Sequence, residues 1–184
     1  YFECFSGASG DMLLGALLDC SSDHEWFLSQ LKQIPKIQND FEIIISKNCK
    51  KGISATDVNV VLKHHNHHHR GLDEISNIIK SSNISPKAKD LAIKIFNNLA
   101  LAEAKVHNSN INDIHFHEVG AVDAIIDITG FSILFTALDI EKVIVSPVNT
   151  GAGFINAAHG ILPVPAPATL EIIKSSNWPV NNEI

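Results

Sequence analysis

The sequence predicts a mixed α/β fold, in which a sheet of short strands packs against helices and a mobile histidine-rich loop leaves the packed part. Two observations predict it. Residues 41–46, 55–62 and 143–145 have the alternating or continuous apolar pattern of strands, and segments with the helical period separate them. Hydrophobic residues make up 45% of the 184 residues, which is typical of a globular protein with one core. We therefore expect residues 1–184 to form a single domain.

Composition and charge exclude several classes of protein. The net charge is −6 and no basic run occurs, so nothing would neutralise a nucleic-acid backbone. The three cysteines lack the spacing of a metal knuckle and suit reduced thiols in the cytoplasm. The most apolar stretch, 124–140, contains Asp127 and Asp139 and is short for a membrane span. The chain does not start with methionine and ends abruptly, so we expect it to be part of a longer protein.

A loop of small residues follows the first predicted strand, at residues 2–5, and precedes a predicted helix. Such a loop exposes backbone N–H groups to an anion at the helix N-terminus. A tight turn with Ser9 as N-cap is the alternative. Asp11 suits the helix dipole and is equally able to ligate a cation. The candidate substrate-binding residues here are Ser6, Gly7, Ser9, Gly10 and Asp11.

A histidine run follows the strands at 41–46 and 55–62, which we expect to pair in one sheet. The run places five imidazoles within six positions: His64, His65, His67, His68 and His69. Imidazole suits nickel, copper and zinc. A solvated polar loop is the alternative, but we predict a metal-binding segment that holds ions without a fixed geometry.

Two further helices are predicted after the run. Residues 72–79 have an amphipathic pattern. Ser85 then precedes Pro86 as the N-cap and first residue of a long helix.

The stretch at 114–127 concentrates titratable side chains. His115 and His117 are two apart, so in an extended segment they lie on one face, and Glu118 follows directly. Asp123 and Asp127 are four apart on a helix that is apolar on nearly every side, which predicts burial. Buried carboxylates require a partner such as a cation. The alternative is a structural pair that binds neighbouring backbone.

The last part of the chain is predicted to hold a strand at 143–145 and a helix at 168–174. Gly151 and Gly153 lack the third glycine of a dinucleotide-binding loop, so we reject that interpretation. His159 precedes a proline-rich segment that leads into the final helix.

Five motifs together resemble the LarC family of nickel insertion proteins, over nearly the whole chain and in the same order. They are the segments 4–12, 69–72, 102–107, 115–123 and 159–169, with the sequences CFSGASGDM, HRGL, AEAKVH, HFHEVGAVD and HGILPVPAPAT. The resemblance implies CTP-dependent insertion of nickel into pyridinium-3,5-bisthiocarboxylic acid mononucleotide, with one Ni–C and two Ni–S bonds formed. The downstream acceptor would be the lactate racemase apoprotein. The resemblance also implies that the site for CTP and its divalent cation lies in a C-terminal part beyond these residues. This N-terminal domain alone is therefore expected to be inactive. Assembly into a homo-oligomer is left open.

The residues fit three requirements of such a reaction. The histidine run suits a nickel reservoir, and Asp123 and Asp127 are further candidate metal ligands. The loop 6–10 suits an anionic nucleotide. The candidates for the base that takes the proton from carbon are His115, His117, Glu118 and His159, among which the sequence does not choose.

Two other functions are compatible with the same residues. One is a divalent-metal-dependent phosphohydrolase that uses two ions held by His115, His117, Asp11, Asp123 and Asp127. The other is a non-enzymatic nickel store or metallochaperone, in which only the histidine run binds metal.

Overall fold

The protein has the predicted mixed α/β fold. A computed structural model describes residues 1–21, 23–63, 70–116, 122–157 and 160–182. Within these ranges the helices are Gly10–Ser21 (α1), His24–Leu31 (α2), Leu72–Ser81 (α3), Pro86–His107 (α4), Val122–Ala137 (α5) and Pro167–Ser176 (α6). A short 3-10 helix, Ile111–Asp113, follows α4. The described helices include none that is long and apolar enough to cross a membrane.

The described strands lie in four two-stranded sheets. The strands are Phe41–Lys50 (β1), Ile53–Leu62 (β2), Arg70–Gly71 (β3), His115–Phe116 (β4), Val148–Asn149 (β5), Phe154–Ala157 (β6), Gly160–Pro163 (β7) and Val180–Asn181 (β8). The pairs β1–β2, β3–β4 and β6–β7 are antiparallel, and β5–β8 is parallel.

The hairpin β1–β2 confirms the prediction that these two segments pair, and it is longer than predicted. The register runs from Phe41↔Leu62 to Lys50↔Ile53. Lys51 and Gly52, with φ of 51° and 84°, form the two-residue turn, and positive φ at both positions matches the twist of a tight hairpin. The backbone ladder continues to Lys50 and resumes at Ile53, through mostly polar residues whose apolar pattern was too weak, so the two predicted strands stop short of the turn on both sides.

The predicted strands at 2–5 and 143–145 are wrong. Phe2 forms a single parallel bridge with Val145. The Phe2 N–H donates to the Ile144 carbonyl at 2.9 Å, and the Ser146 N–H donates to the Phe2 carbonyl at 3.0 Å. No ladder extends from this bridge among the described residues, and the chain then enters the loop at Gly7, whose φ is +86°.

The hydrophobic core is formed by α1 to α5 and the inner face of the hairpin. Gly130 of α5 permits close packing, since a Cβ there would be 3.0 Å from Leu14 of α1 and 3.2 Å from Phe27 of α2. Phe96 of α4 packs against Phe116, with ring centroids 6.2 Å apart. The predicted cap of α4 is confirmed: the Ala88 N–H donates to Ser85 Oγ at 3.2 Å, and Pro86 is the first helical residue.

The C-terminal region, which we define as residues 147–182, packs differently. None of its described residues is buried, and the buried residues of the described ranges all lie between Cys4 and Ser146. Helix α6 packs beside α4, where Glu171 forms ion pairs with Lys105 and Lys174. The region therefore lies on the surface of the core.

Candidate functional site

The loop of residues 6–9 is held in place by Asn149, which is distant from it in sequence. The Asn149 N–H donates to the Cys4 carbonyl at 3.1 Å, and Asn149 Nδ2 donates to the Phe5 carbonyl at 2.9 Å. A Cβ at Gly7 would lie 3.3 Å from the Asn149 carbonyl oxygen. The positive φ and the close approach both require glycine at position 7, so the loop conformation is set by its sequence.

A cleft of about 950 Å³ lies beside this loop. Ser6, Gly7 and Ser9 line it on one side, together with residues of the C-terminal region, including α6 and Trp178. We call it the loop–α6 cleft. None of the described residues that line it is charged, and most of them are apolar. A cleft of this size and character is typical of a site for a small organic ligand.

The start of α1 departs from simple N-capping by Ser9. The Ser9 carbonyl accepts the Leu13 N–H at 3.0 Å, which places Ser9 directly before the helix. Its hydroxyl, however, donates to the Asp11 carboxylate, which also accepts the Met12 N–H at 2.8 Å. Asp11 therefore supplies the negative charge at the helix N-terminus. It does not line the loop–α6 cleft, and Gly10 does not line it either, so the structure brings only three of the five predicted substrate-binding residues to that cleft.

Asp127 of α5 is half-buried and lies directly against Gly10. A Cβ at Gly10 would be 2.2 Å from Asp127 Oδ2, so no larger residue fits there without a shift. The other oxygen, Oδ1, is buried and has no hydrogen-bond partner in the described part of the chain. Burial, followed by the nearby negative charges of Asp11 and Asp123, raises the pKa of Asp127 to about 6. This carboxyl group therefore changes protonation close to neutral pH.

Asp123 is exposed, so the expectation of two buried aspartates is wrong for this residue. Its carboxylate accepts the Ala124 N–H at 2.9 Å in the first turn of α5. Val122 and Ile125 in the same turn are buried, whereas Asp123 lies on the face of the turn that is open to solvent. An apolar pattern over the whole helix did not predict this open face.

His115 lies in β4 and is exposed. It pairs with Gly71 of β3, and Phe116 pairs with Arg70. Arg70 directly follows the histidine run, and Phe116 directly precedes His117. The β3–β4 ladder therefore places the residue that follows the histidine run beside the residue that precedes His117.

The remaining predicted site residues lie outside the described residues. They are His64, His65, His67, His68, His69, His117, Glu118 and His159. Within the described ranges, no three His, Cys, Asp or Glu side chains are grouped so that they could hold a metal ion. The roles of Asp123 and Asp127 as metal ligands, and of His115 as a base, thus stay predictions.

Sequence reasoning missed two residues of the cleft, Asn149 and Trp178. Asn149 anchors the loop, and the Gly151 N–H donates to its Oδ1 at 2.9 Å. Trp178 donates its indole N–H to the Ser146 carbonyl at 3.2 Å. A tryptophan a few residues after the last predicted helix was the available signal, but the Ser146 carbonyl that accepts its indole N–H is 32 positions away in sequence.

A second cleft, of about 620 Å³, lies between α1 and the hairpin. Asp11 and Asp19 of α1 line it together with Thr56 of β2. Asp19 forms an ion pair with Lys47 and accepts the Thr56 hydroxyl at 2.6 Å, and the bond with Lys47 lowers its pKa most. These groups satisfy one another, so they are accounted for by the packing of α1 on the hairpin.

The fold and its motifs define a member of a known class: the chain belongs to the nickel insertion protein family, whose model matches residues 1–184. This confirms the family resemblance. Among its relatives, the pyridinium-3,5-bisthiocarboxylic acid mononucleotide nickel insertion protein of Acetivibrio thermocellus is 47% identical over 191 residues, covering 100% of this chain and 46% of the relative. The protein of the same name from Desulfitobacterium hafniense (strain DSM 10664 / DCB-2) is 49% identical over 174 residues, covering 94% and 42%. That of Clostridium kluyveri is 41% identical over 195 residues, covering 100% and 48%.

The chain spans a little under half the length of these curated relatives, and it fits their N-terminal part. No solved structure matches it.

Proposed function

We propose that this chain supplies nickel binding and part of the active site for the insertion of nickel into pyridinium-3,5-bisthiocarboxylic acid mononucleotide. Membership of the nickel insertion family supports nickel handling, and the names of the relatives support this substrate. The observation that carries the proposal is the uncharged loop–α6 cleft, which brings the 4–12 and 159–169 motifs together around one ligand-sized space.

Nickel is proposed to bind first at the histidine run. The β3–β4 ladder supports delivery to a nearby site, since it joins the residue that follows His69 to the residue that precedes His117. Neutral imidazole is a good ligand for nickel, and protonation competes with the metal. Binding is therefore expected to weaken as the pH falls through about 6.5.

The metallation step exchanges a C–H bond for a Ni–C bond, and the proton passes to a base. His115, His117, Glu118 and His159 are the proposed candidates, with imidazole titrating near neutral pH. Asp123 and Asp127 are proposed metal ligands close to α1. The free lone pairs of the buried Asp127 Oδ1 support this role, because a cation would satisfy an oxygen that otherwise has no partner.

CTP, with a divalent cation, is proposed to bind in the C-terminal part that the relatives carry. The loop 6–11 lacks the lysine that meets a β- or γ-phosphate in triphosphate-binding loops, and the cleft lining is uncharged. The sole arginine, Arg70, has only 7% of its surface exposed, and its Nε lies 3.5 Å from Glu74 Oε1. The 184 residues are thus proposed to form the nickel-binding N-terminal domain of a cytoplasmic protein. This domain is proposed to be inactive without the C-terminal part. The product of the whole protein is proposed to pass to the lactate racemase apoprotein.

The nickel-binding role is tested by replacing all five histidines of the run with alanine. We expect calorimetric titration at pH 7.5 to count fewer bound nickel ions, with an unchanged circular dichroism spectrum. His24→Ala, which removes an imidazole at the start of α2, is the control and is expected to leave the stoichiometry unchanged. Equal stoichiometry in the five-histidine variant and the wild type would contradict the proposal.

The insertion role is tested in the full-length protein with nickel, CTP and the mononucleotide. His117→Ala and Asp123→Asn are each expected to abolish the nickel-containing product while bulk nickel binding stays nearly normal, because the histidine run is intact. If product forms at the wild-type rate in both variants, the stretch 115–127 has only a structural role.

A further inference from the structure

We propose that Trp178 recognises the pyridinium ring of the substrate on the wall of the loop–α6 cleft. This inference rests on the proposed function, because the substrate is taken from it. It adds a residue that determines specificity and that lies outside the five family motifs.

Trp178 is the one aromatic residue among the described residues that line the cleft. Its neighbours there are small or aliphatic, such as Val148, Ile173 and Val180. The residue keeps 44% of its surface exposed. An aromatic side chain is therefore accessible within a largely apolar wall.

Trp178 is held by one hydrogen bond from its ring and one from its backbone. Its Nε1–H donates to the Ser146 carbonyl at 3.2 Å, and its backbone N–H donates to Ser176 Oγ at 3.2 Å. Ser146 is itself buried and accepts the Cys4 N–H at 2.8 Å. The residues after Trp178 continue into β8, which pairs with β5 at Val148↔Val180. Trp178 thus enters the cleft from a segment tied both to the core and to the loop, so little side-chain entropy remains to be lost on binding.

The chemistry of the substrate suits such a wall. A pyridinium ring carries a delocalised positive charge, and the face of tryptophan attracts cations more strongly than the other aromatic side chains. The same molecule carries anionic thiocarboxylate and phosphate groups. A carboxylate in the cleft would attract the ring but repel those groups, and a lysine would do the opposite.

The distribution of charge in the structure matches this requirement. Asp11, Asp123 and Asp127 all lie outside the lining of the cleft, and no described lining residue is charged. An aromatic wall is therefore the available means of favouring the cationic ring without penalising its substituents. The cleft volume of about 950 Å³ leaves room for the remainder of a mononucleotide beside the loop 6–9.

The test measures affinity for three ligands by quenching of tryptophan fluorescence. Trp26→Phe provides a background in which Trp178 is the sole tryptophan, because the chain contains two. The ligands are the substrate itself, nicotinamide mononucleotide, and reduced nicotinamide mononucleotide, whose ring is neutral at nearly the same size. We expect the substrate and the oxidised probe to quench Trp178 and to give a charge-transfer absorption band, and the reduced probe to give no band.

Substitution of Trp178 separates the ring from its hydrogen bond. Trp178→Leu is expected to weaken binding of the substrate about 10-fold, measured by calorimetry since the fluorophore is lost. Trp178→Phe is expected to fall between leucine and wild type, because the phenyl face remains although the bond to Ser146 is lost. A purely structural role through that bond would place phenylalanine with leucine and would overturn the assignment. Trp26→Leu is the matched control and is expected to bind as the wild type does.

Two failures are distinguishable. If the wild-type protein does not bind the mononucleotide at all, both the proposed function and this inference are overturned. If the wild type binds it and Trp178→Leu binds within twofold, or if oxidised and reduced probes bind equally, the assignment of Trp178 alone is overturned.

Discussion

The core and the C-terminal region are stabilised in different ways. In the core, large side chains are completely buried, including Phe27 of α2, Phe96 of α4 and Phe116 of β4. In the C-terminal region no described residue is buried, and backbone hydrogen bonds fix the segments instead. Examples are Thr150 N–H to the Asn181 carbonyl at 2.9 Å and Val164 N–H to the Gly153 carbonyl at 3.0 Å. Burial of a large side chain contributes about 1.5–3 kcal/mol, whereas a hydrogen bond contributes about 1 kcal/mol net.

The comparison shows where the loop–α6 cleft lies in this fold. The loop–α6 cleft lies at the boundary, with one wall anchored to the core through Cys4 and Ser146 and the other formed by the lightly packed region. Substitutions in the two regions should therefore differ in their effect on stability by a large factor.

The largest effect is expected from removing a core aromatic ring. Phe96→Ala should lower the free energy of unfolding by about 3–5 kcal/mol, because the fully buried ring leaves a cavity beside Phe116. Phe154→Ala is the matched change in the C-terminal region, where the ring is 78% exposed, and should cost less than about 0.5 kcal/mol. Urea denaturation measures both. Equal losses in the free energy of unfolding would show that the core and the C-terminal region do not differ in how they are stabilised.

A smaller effect is expected where α1 meets the hairpin. A Cβ at Gly15 would lie 2.3 Å from the Thr56 backbone carbonyl, which is unable to move without shifting β2. Gly15→Ala should therefore lower the free energy of unfolding by about 1–3 kcal/mol, although alanine favours a helix by about 1 kcal/mol. Ala16→Ser, at the adjacent exposed position, serves as the control. An increase in stability for Gly15→Ala would contradict the close packing.

The smallest effect is expected from Asp127, and it depends on pH. The folded pKa of about 6 is above the unfolded value of about 3.9, so folding favours the protonated carboxyl group. This stabilisation is fully present below pH 3.9 and is lost as the pH rises through about 6. Asp127→Asn should thus raise the free energy of unfolding at pH 7.5 by about 1 kcal/mol, after allowance for solvent screening.

The same variant should match the wild type near pH 4, where both carry an uncharged group. The measurement is thermal denaturation between pH 4 and pH 8 in the presence of EDTA, so that no cation binds the carboxylate. A difference in stability that is constant over this range would rule out titration of Asp127 as its source.

Local patterns predicted most of the fold. Helices α1, α3, α4 and α6 and the β1–β2 hairpin follow from apolar periodicity, the Ser85–Pro86 start and the polar turn around Gly52. The first strand was wrong because a single bridge between Phe2 and Val145 depends on a contact across the whole chain. A local pattern carries no information on such a partner.

The candidate site shows the same division. The loop 6–9 was predicted to lie beside a helix N-terminus and does so, because small residues and a helix start are local signals. The participation of Asn149 and Trp178 was missed, since their contacts with Phe5 and Ser146 are set by tertiary packing. The exposure of Asp123 was missed too, because apolar residues on nearly every side of α5 did not indicate which face would be open to solvent.

The hydrogen bonds from Cys4 to Ser146 and from Asn149 to Phe5 have a consequence for the order of folding. They join residues separated by 142 and 144 positions. Contacts of such high sequence separation carry a large loop-closure entropy and form after local helices and hairpins. During synthesis the loop 6–9 is made well before Asn149, the residue that anchors it. The helical core is therefore expected to assemble before the cleft is complete. Binding of a ligand in the cleft would then indicate that folding is complete.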